Sequence, residues 1–309
     1  MREGALAELT GVVTALVSPM RQGKVDVDAL GPLVEAQVQA GVSALITCGT
    51  TGESATLSLE EQMQVLDIVR EHAAGRTLVL AGAGGAATSK ACALAEAAAA
   101  RGADGLLVVT PYYNRPSPAG LEAHFRALAA ATPLPLMLYN VPGRTGVDLD
   151  LDTVARLLEL DTVVALKEAS GGVSRIEQAV ARFGRRLSVF SGNDADAFAA
   201  LAVGAAGVVS VSANVVPQRL ARLWAQIAAG AWHDARQLHQ SLLPLHDALF
   251  WESNPGPVKA ALAALGLIAA EIRLPLVWPT ETTRHKLAAV LAELDVAADW
   301  PKTATWSPT

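Results

Sequence analysis

Eight short apolar runs recur along the first two-thirds of the chain: Val12–Val17, Ala44–Cys48, Leu78–Ala81, Gly105–Thr110, Leu136–Asn140, Val163–Lys167, Leu187–Ser191 and Gly207–Val211. Their hydrophobicity is nearly continuous rather than alternating, which predicts parallel strands buried on both faces. Amphipathic stretches separate them. Leu30, Leu33, Val34 and Val38 make one apolar helical stripe. Ser58 and Glu61 have capping-box spacing, which predicts a helix from Leu59 toward Glu71. Thr88 or Ser89 is the expected cap of an Ala-rich helix that ends before Gly102. A weak repeat supports the pattern: Gly41, Gly102 and Gly204 each end a helix just before an apolar run, where a left-handed residue is needed. Eight strand–helix units predict a (β/α)8 barrel, because eight strands close around a side-chain-filled interior. A doubly wound nucleotide-binding sheet is the rival, but no GxGxxG follows the first run. Gly82-Ala-Gly84-Gly85 is too short and misplaced for that role.

After residue 216 the pattern becomes helix upon helix, over about 217–229, 231–250, 255–268 and 281–296. All six tryptophans fall there (Trp224, Trp232, Trp251, Trp278, Trp300 and Trp306). The expected organisation is a barrel over 1–216, then the last barrel helix with a C-terminal helical domain over 217–298, and a loose tail over 299–309.

Composition narrows the function class. Of 309 residues 51% are apolar and 17% charged, enough to fill a large core and too apolar for disorder. A net charge of −6 argues against nucleic-acid or anionic-membrane partners. No run of 18 apolar residues could span a bilayer, the N-terminus lacks a signal-peptide core, and two cysteines cannot build a disulfide framework. A cytoplasmic enzyme is the expectation.

In a barrel of this kind chemistry gathers at the C-terminal ends of the strands. Those ends carry Cys48-Gly-Thr-Thr-Gly-Glu53, Thr110-Pro-Tyr-Tyr-Asn114, Tyr139-Asn-Val-Pro-Gly-Arg144, Leu166-Lys167-Glu168 and Ser191-Gly-Asn-Asp194. Lys167 is one of only six lysines and directly follows the run Val163–Leu166. Burial there favours the neutral amine, a nucleophile that forms a Schiff base with a carbonyl substrate. The plainer alternative is a lysine that snorkels to solvent or pairs with Glu168. All three tyrosines, Tyr112, Tyr113 and Tyr139, lie at strand ends. One alone would be an amphipathic rim residue, whereas three suggest phenols that move protons at a carbinolamine. Arg144 could clamp a carboxylate in bidentate fashion or be a solvated loop arginine. Thr50 and Thr51 offer hydroxyls and backbone N–H groups. The set points to a 2-oxo acid handled through an imine. The six histidines show no HExxH spacing, and neither Cys48 nor Cys92 has a neighbour that would favour a thiolate.

GTTGES at 49–54, TPYYNRPS at 110–117, YNVPGRTG at 139–146, LKEASG at 166–171, SGND at 191–194 and GVVSVSAN at 207–214 resemble the dihydrodipicolinate synthase/N-acetylneuraminate lyase family. The likeness is collinear from about residue 10 to 296. It implies a (β/α)8 TIM barrel with a C-terminal helical domain. It implies that Lys167 forms the imine with pyruvate and that Tyr139 is the acid/base beside it. Thr51 and Tyr113 would complete a hydroxyl relay, with Tyr113 reaching in from a neighbouring subunit. Thr50 would hold the pyruvate carboxylate, Arg144 the carboxylate of the second substrate, and backbone carbonyls near Gly192 and Val209 would line the pocket. No metal or cofactor is implied beyond the covalent imine on Lys167.

The Arg in YNVPGRTG, the paired Thr and the paired Tyr resemble the synthase branch, which condenses pyruvate with L-aspartate-4-semialdehyde on the route to diaminopimelate and lysine. The alternatives are another pyruvate-dependent aldolase or lyase of the family, or a non-catalytic barrel that keeps the residues by ancestry. The resemblance implies a homotetramer built as a dimer of dimers. It departs at the lysine-feedback positions: where lysine-inhibited members carry His, His, Asn and Glu, this chain has Leu59, Gln62, Ala86 and Lys90. A cation at Lys90 would face the ligand's ammonium, so weak or absent inhibition by lysine is expected. Loss of activity in millimolar lysine would overturn that expectation.

Overall fold

The computed structural model describes residues 6–300. The strands are β1 (Gly11–Ala15), β2 (Met20–Arg21), β3 (Lys24–Val25), β4 (Ala44–Thr47) and β5 (Leu78–Gly82). They continue with β6 (Gly105–Val109), β7 (Leu136–Asn140), β8 (Val163–Glu168), β9 (Ser188–Ser191) and β10 (Gly207–Ser210). Helices α1 (Val27–Ala40), α2 (Leu59–Ala73), α3 (Thr88–Ala100), α4 (Pro118–Ala131), α5 (Pro142–Thr145) and α6 (Leu151–Leu157) lie between them. Then come α7 (Val173–Phe183), α8 (Ala197–Ala202), α9 (Pro217–Ala228), α10 (Trp232–Ala248), α11 (Gly256–Ala264) and α12 (Glu281–Glu293). Eight strands form a closed parallel barrel in the order β1-β10-β9-β8-β7-β6-β5-β4, a TIM barrel, and the antiparallel pair β2-β3 stands apart. All eight expected strands are present, with ends within two residues. The β2-β3 pair was not foreseen, since two residues per strand leave no periodicity to read.

The chain divides into two compact units, one comprising Leu78–Val209 with the N-terminal segment up to Gly11, the other Val12–Thr77 with the chain from Ser210 onward. In the first unit β5 to β9 follow in order as parallel neighbours, and β10 joins β9. Leu106, Leu136, Met137, Leu138, Ala165, Leu166 and Phe190 are fully buried, which is why these strands are apolar throughout. The helix expected to begin with a Thr88 or Ser89 cap starts at Thr88 itself, behind Ala87. Thr88 Oγ1 instead lies 3.0 Å from His124 Nδ1, so that hydroxyl is engaged by α4 rather than by its own helix end.

In the second unit β1 pairs with β4 in parallel, and α9 to α12 follow β10 with no further strand among the described residues. The capping box forms as expected. Glu61 N–H donates to Ser58 Oγ, and Ser58 N–H donates to Glu61 Oε2. The third of the late helices is shorter than its expected 255–268 and ends at Ala264, followed by Gly266 in the left-handed region. Gly41, Gly102 and Gly204 have φ of 77°, 74° and 95°, as the repeat required. The expected tail over 299–309 needs correction at its start. Trp300 is buried and its Nε1–H donates to Val215 O at 2.9 Å, and Asp299 accepts from Arg219, because a large ring and a charge pair anchor the chain there. Residues 301–309 of that expected tail lie outside the described residues. Among the described residues no helix is long and apolar enough to cross a membrane.

Candidate active site

Two neighbouring strands of the first unit set the central geometry. In β7 and β8 the pairing runs Leu136↔Val163 and then Met137↔Ala165, so Val164 is an extra residue on β8. That bulge advances the register by one. Without it Leu166 would stand opposite Tyr139; with it Lys167 does, and Glu168 stands opposite Asn140. Lys167 Nζ lies 4.1 Å from the centre of the Tyr139 ring, over its face. Both side chains are buried, Lys167 with only 5% of its surface exposed. The alternatives of a snorkelling or Glu168-paired lysine therefore fail. Consecutive strand residues point to opposite sides. Glu168 accepts from Asn140 Nδ2 at 3.1 and 3.2 Å and from Ser170 N–H at 2.7 Å, with Arg175 Nε 3.6 Å away. Asn140 is itself fixed: its Nδ2 also donates to Asp148, and its Oδ1 accepts from Leu149 N–H. One side of the two strand ends thus carries an amine and a phenol, while the other carries a hydrogen-bonded clamp that keeps the strands in register.

The stem of Lys167 runs past Gly192. A Cβ added at Gly192 would lie 2.7 Å from the Ala169 methyl and 3.1 Å from Lys167 Cε, so a larger residue would collide with Ala169 and crowd the lysine stem. Val209 is buried within β10. Arg144 sits in the short turn α5 with an exposed side chain. Tyr113 is 92% exposed and has φ 74°, an uncommon backbone state for an aromatic residue. Lys167, Tyr139 and Gly192 are therefore brought together, whereas Arg144 and Tyr113 face outward from their loops.

Thr50 and Thr51 belong to the second unit, in the loop after β4. Its backbone is closed by Glu53 N–H to Thr50 O and Ser54 N–H to Gly49 O. Thr51 is buried and its Oγ1 accepts from Asn254 Nδ2 at 3.0 Å. Glu53, two residues on, is buried against Lys259 Nζ and also accepts from Arg273 N–H at 3.0 Å. Arg273 in turn grips Glu61, holding its carboxyl at about 2, and donates to Thr56 O. Burial pushes the Cys48 thiol up to about 12, which disfavours a thiolate there. A separate cavity of about 580 Å³ is lined by residues of α11, α12 and the segment joining them, among them Ala264, Trp278, Leu287 and Leu291, and holds none of the expected chemical residues.

The profile of the Dihydrodipicolinate synthetase family matches residues 8–294. The chain belongs to that family. A 4-hydroxy-tetrahydrodipicolinate synthase from Sorangium cellulosum is 48% identical over 290 residues, 93% of this chain and 96% of the relative. The enzyme of the same name from Geotalea uraniireducens is 46% identical over 283 residues, 92% of this chain and 98% of the relative. Among solved structures, the 4-hydroxy-tetrahydrodipicolinate synthase of Methylacidiphilum fumariolicum SolV superimposes with a TM-score of 0.91 at 42% identity, covering 95% of this chain and all of that one.

Sequence reasoning passed over several supporting residues of this dihydrodipicolinate synthetase family member: Asn140 and Arg175 in one unit, Glu53, Asn254, Lys259 and Arg273 in the other; Glu168, expected only as a partner of Lys167, instead holds Asn140 and Ser170. Lys259 carried a readable signal, being the only charge in the run Gly256–Leu267. A fully buried lysine in an apolar helix must have a carboxylate partner. Asn254 carried none beyond its place before Pro255 and Pro257.

Proposed function

We propose that this chain condenses pyruvate with L-aspartate-4-semialdehyde to give 4-hydroxy-tetrahydrodipicolinate, through an imine on Lys167. The observation that carries the reading is the buried Lys167 amine lying over the Tyr139 ring on paired strand residues. The Lys167 amine attacks the pyruvate carbonyl, and the carbinolamine loses water to form the imine. Loss of a methyl proton gives an enamine whose carbon attacks the aldehyde. The amine of the second substrate then displaces Lys167 and closes the ring. Tyr139 moves the protons, relayed by Thr51 and Tyr113. Thr50 holds the pyruvate carboxylate, Arg144 receives the second carboxylate, and backbone groups at Gly192 and Val209 line the pocket. The substrates are small molecules and no cofactor enters the scheme.

The exposed, positive-φ Tyr113 supports assembly through that residue, so that a neighbouring subunit completes the relay, in a homotetramer. Lack of feedback by lysine belongs to the same reading. Gln62 spends its amide on Ser54 O and Leu57 O, and Lys90 is exposed. The test of the chemistry is mass spectrometry after incubation with pyruvate and sodium borohydride. The expected result is one reduced pyruvate adduct on Lys167, absent in Lys167→Ala. An unlabelled wild-type protein would overturn the proposal.

A further inference from the structure

We propose that Thr145, held by Thr110, is a positioning residue for this reaction, its hydroxyl setting the place from which Arg144 meets the carboxylate of the second substrate. The inference rests on the role given above to Arg144. That arginine has an exposed side chain and stands in α5, a helix of only four residues. A single helical turn does not hold itself together in water, so its shape has to be imposed from outside. Thr145 imposes it. Its Oγ1 lies 3.0 Å from Val147 O and 3.3 Å from Val141 O, so its one proton serves the residues on either side of the turn. The lone pairs are taken by the Thr110 O–H at 3.3 Å and the Val147 N–H at 3.4 Å. The hydroxyl thus spends its whole bonding capacity within the protein, which makes it a brace and not a group that touches substrate.

Thr110 carries the position of that turn back to the reacting residues. Its N–H donates to Tyr139 O at 3.1 Å, and its hydroxyl donates to Thr145. One residue just past the end of β6 therefore ties the strand of Tyr139 to the turn of Arg144. Thr110 is 0% and Thr145 4% exposed, so water does not compete for the bond between them. Valine has the same branched shape, so packing alone does not call for a hydroxyl at either place. The base of the loop is closed separately, where Leu149 N–H donates to Asn140 Oδ1 at 3.0 Å. What the hydroxyl pair adds is resistance to a swing of the turn about that base. The segment after β6 also touches the turn on its exposed side. Arg115 has φ 46°, and its guanidinium lies against Gly146, where an added Cβ would be 2.9 Å from Nε. A substrate clamp misplaced by about 1 Å costs up to about 100-fold in rate, even from a distance.

The test is steady-state kinetics on the full-length enzyme with both substrates varied. Thr145→Val removes the hydroxyl and keeps the shape. kcat/KM for aspartate-4-semialdehyde is expected to fall about ten-fold, while kcat/KM for pyruvate and the yield of borohydride adduct on Lys167 stay within about two-fold of wild type. Thr145→Ser, which retains the hydroxyl, should recover most of the loss. In an Arg144→Ala background Thr145→Val should change the residual kcat/KM for the aldehyde by less than about two-fold, because no clamp is left to misplace. Thr110→Val, which removes the bond from β6, carries the same cycle should Thr145→Val prevent folding. Equal losses for both substrates, no loss at all, or the same loss without Arg144 would overturn the inference. Failure of the proposed function is distinguishable: the wild-type enzyme would then give no adduct on Lys167, or would give one and consume no aspartate-4-semialdehyde.

Discussion

The ends of β7 and β8 and the loop after β4 meet the same need by different means. In both, a chemical residue stands next to or near a buried carboxylate that braces its stretch of backbone: Glu168 beside Lys167, bonded to Asn140 and Ser170, and Glu53 two places after Thr51, bonded to Lys259 and Arg273. At the strand ends the supporting partners, Asn140 and Ser170, lie within about thirty positions, and ladder hydrogen bonds already fix most of the geometry. The loop has no ladder. Its support comes from Asn254, Lys259 and Arg273, some two hundred positions later. A strand end is positioned by its sheet and needs only trimming, whereas a loop must be held by charges brought from elsewhere. The difference is energetic too, because the loop depends on a fully buried ion pair, which stabilises only while both partners are present.

The largest effect should therefore come from breaking that pair. Burial lowers the Lys259 ammonium from its ordinary value while Glu53 opposes the shift. Lys259→Ala would leave Glu53 uncompensated in the interior and should cost about 3–5 kcal/mol. Denaturant titration measures it. The double variant Glu53→Gln/Lys259→Met, lacking any buried charge, should recover a large part of that loss. A Lys259→Ala variant as stable as the parent would end the distinction between the two regions.

This contrast also explains what could be read in the sequence. The barrel was legible because eight buried parallel strands leave uninterrupted apolar runs, and left-handed glycines mark the entry to three of them. Lys167 and Tyr139 were legible because a lone lysine and a rare tyrosine ended such runs. Their mutual placement was not, since it depends on the Val164 bulge, which shifts pairing by one residue without altering the hydrophobic pattern. The grip of Asn254 on Thr51 was not legible either. It spans 203 positions, and a polar residue before a proline reads as a turn. The start of the tail was misplaced because a single Trp300 anchor has no periodicity.

A smaller effect is expected at the strand ends. Glu168→Gln keeps the shape and one acceptor but removes the charge near Arg175 and toward the Ser170 N–H. The cost should be about 1–3 kcal/mol, less than at Lys259, because the β7–β8 ladder remains. Borohydride trapping on Lys167 should persist, with kcat lowered through looser register. Complete loss of the adduct would mean that the clamp, and not the ladder, places the amine.

The smallest effect is a pH dependence in the first unit. Burial lowers His124 to about 4, against an ordinary value near 6.5, so the folded chain holds a neutral ring beside Thr88. An unfolded chain takes up the proton as pH falls below about 6.5, and the folded one does so only near 4. Stability from this residue is therefore present at neutral pH, declines between about 6.5 and 4, and is fully lost below. The amount is about 1–3 kcal/mol. Other groups titrate over the same range, so the informative quantity is the difference between wild type and His124→Gln in thermal midpoint across pH 4–8. That difference should shrink or reverse toward acid, where the wild-type ring must charge inside α4 and the amide need not. A constant difference would show that the ring is already solvated in the folded chain. The polar contacts of the first unit would then be open to water, and its rigidity would rest on the strand ladder alone.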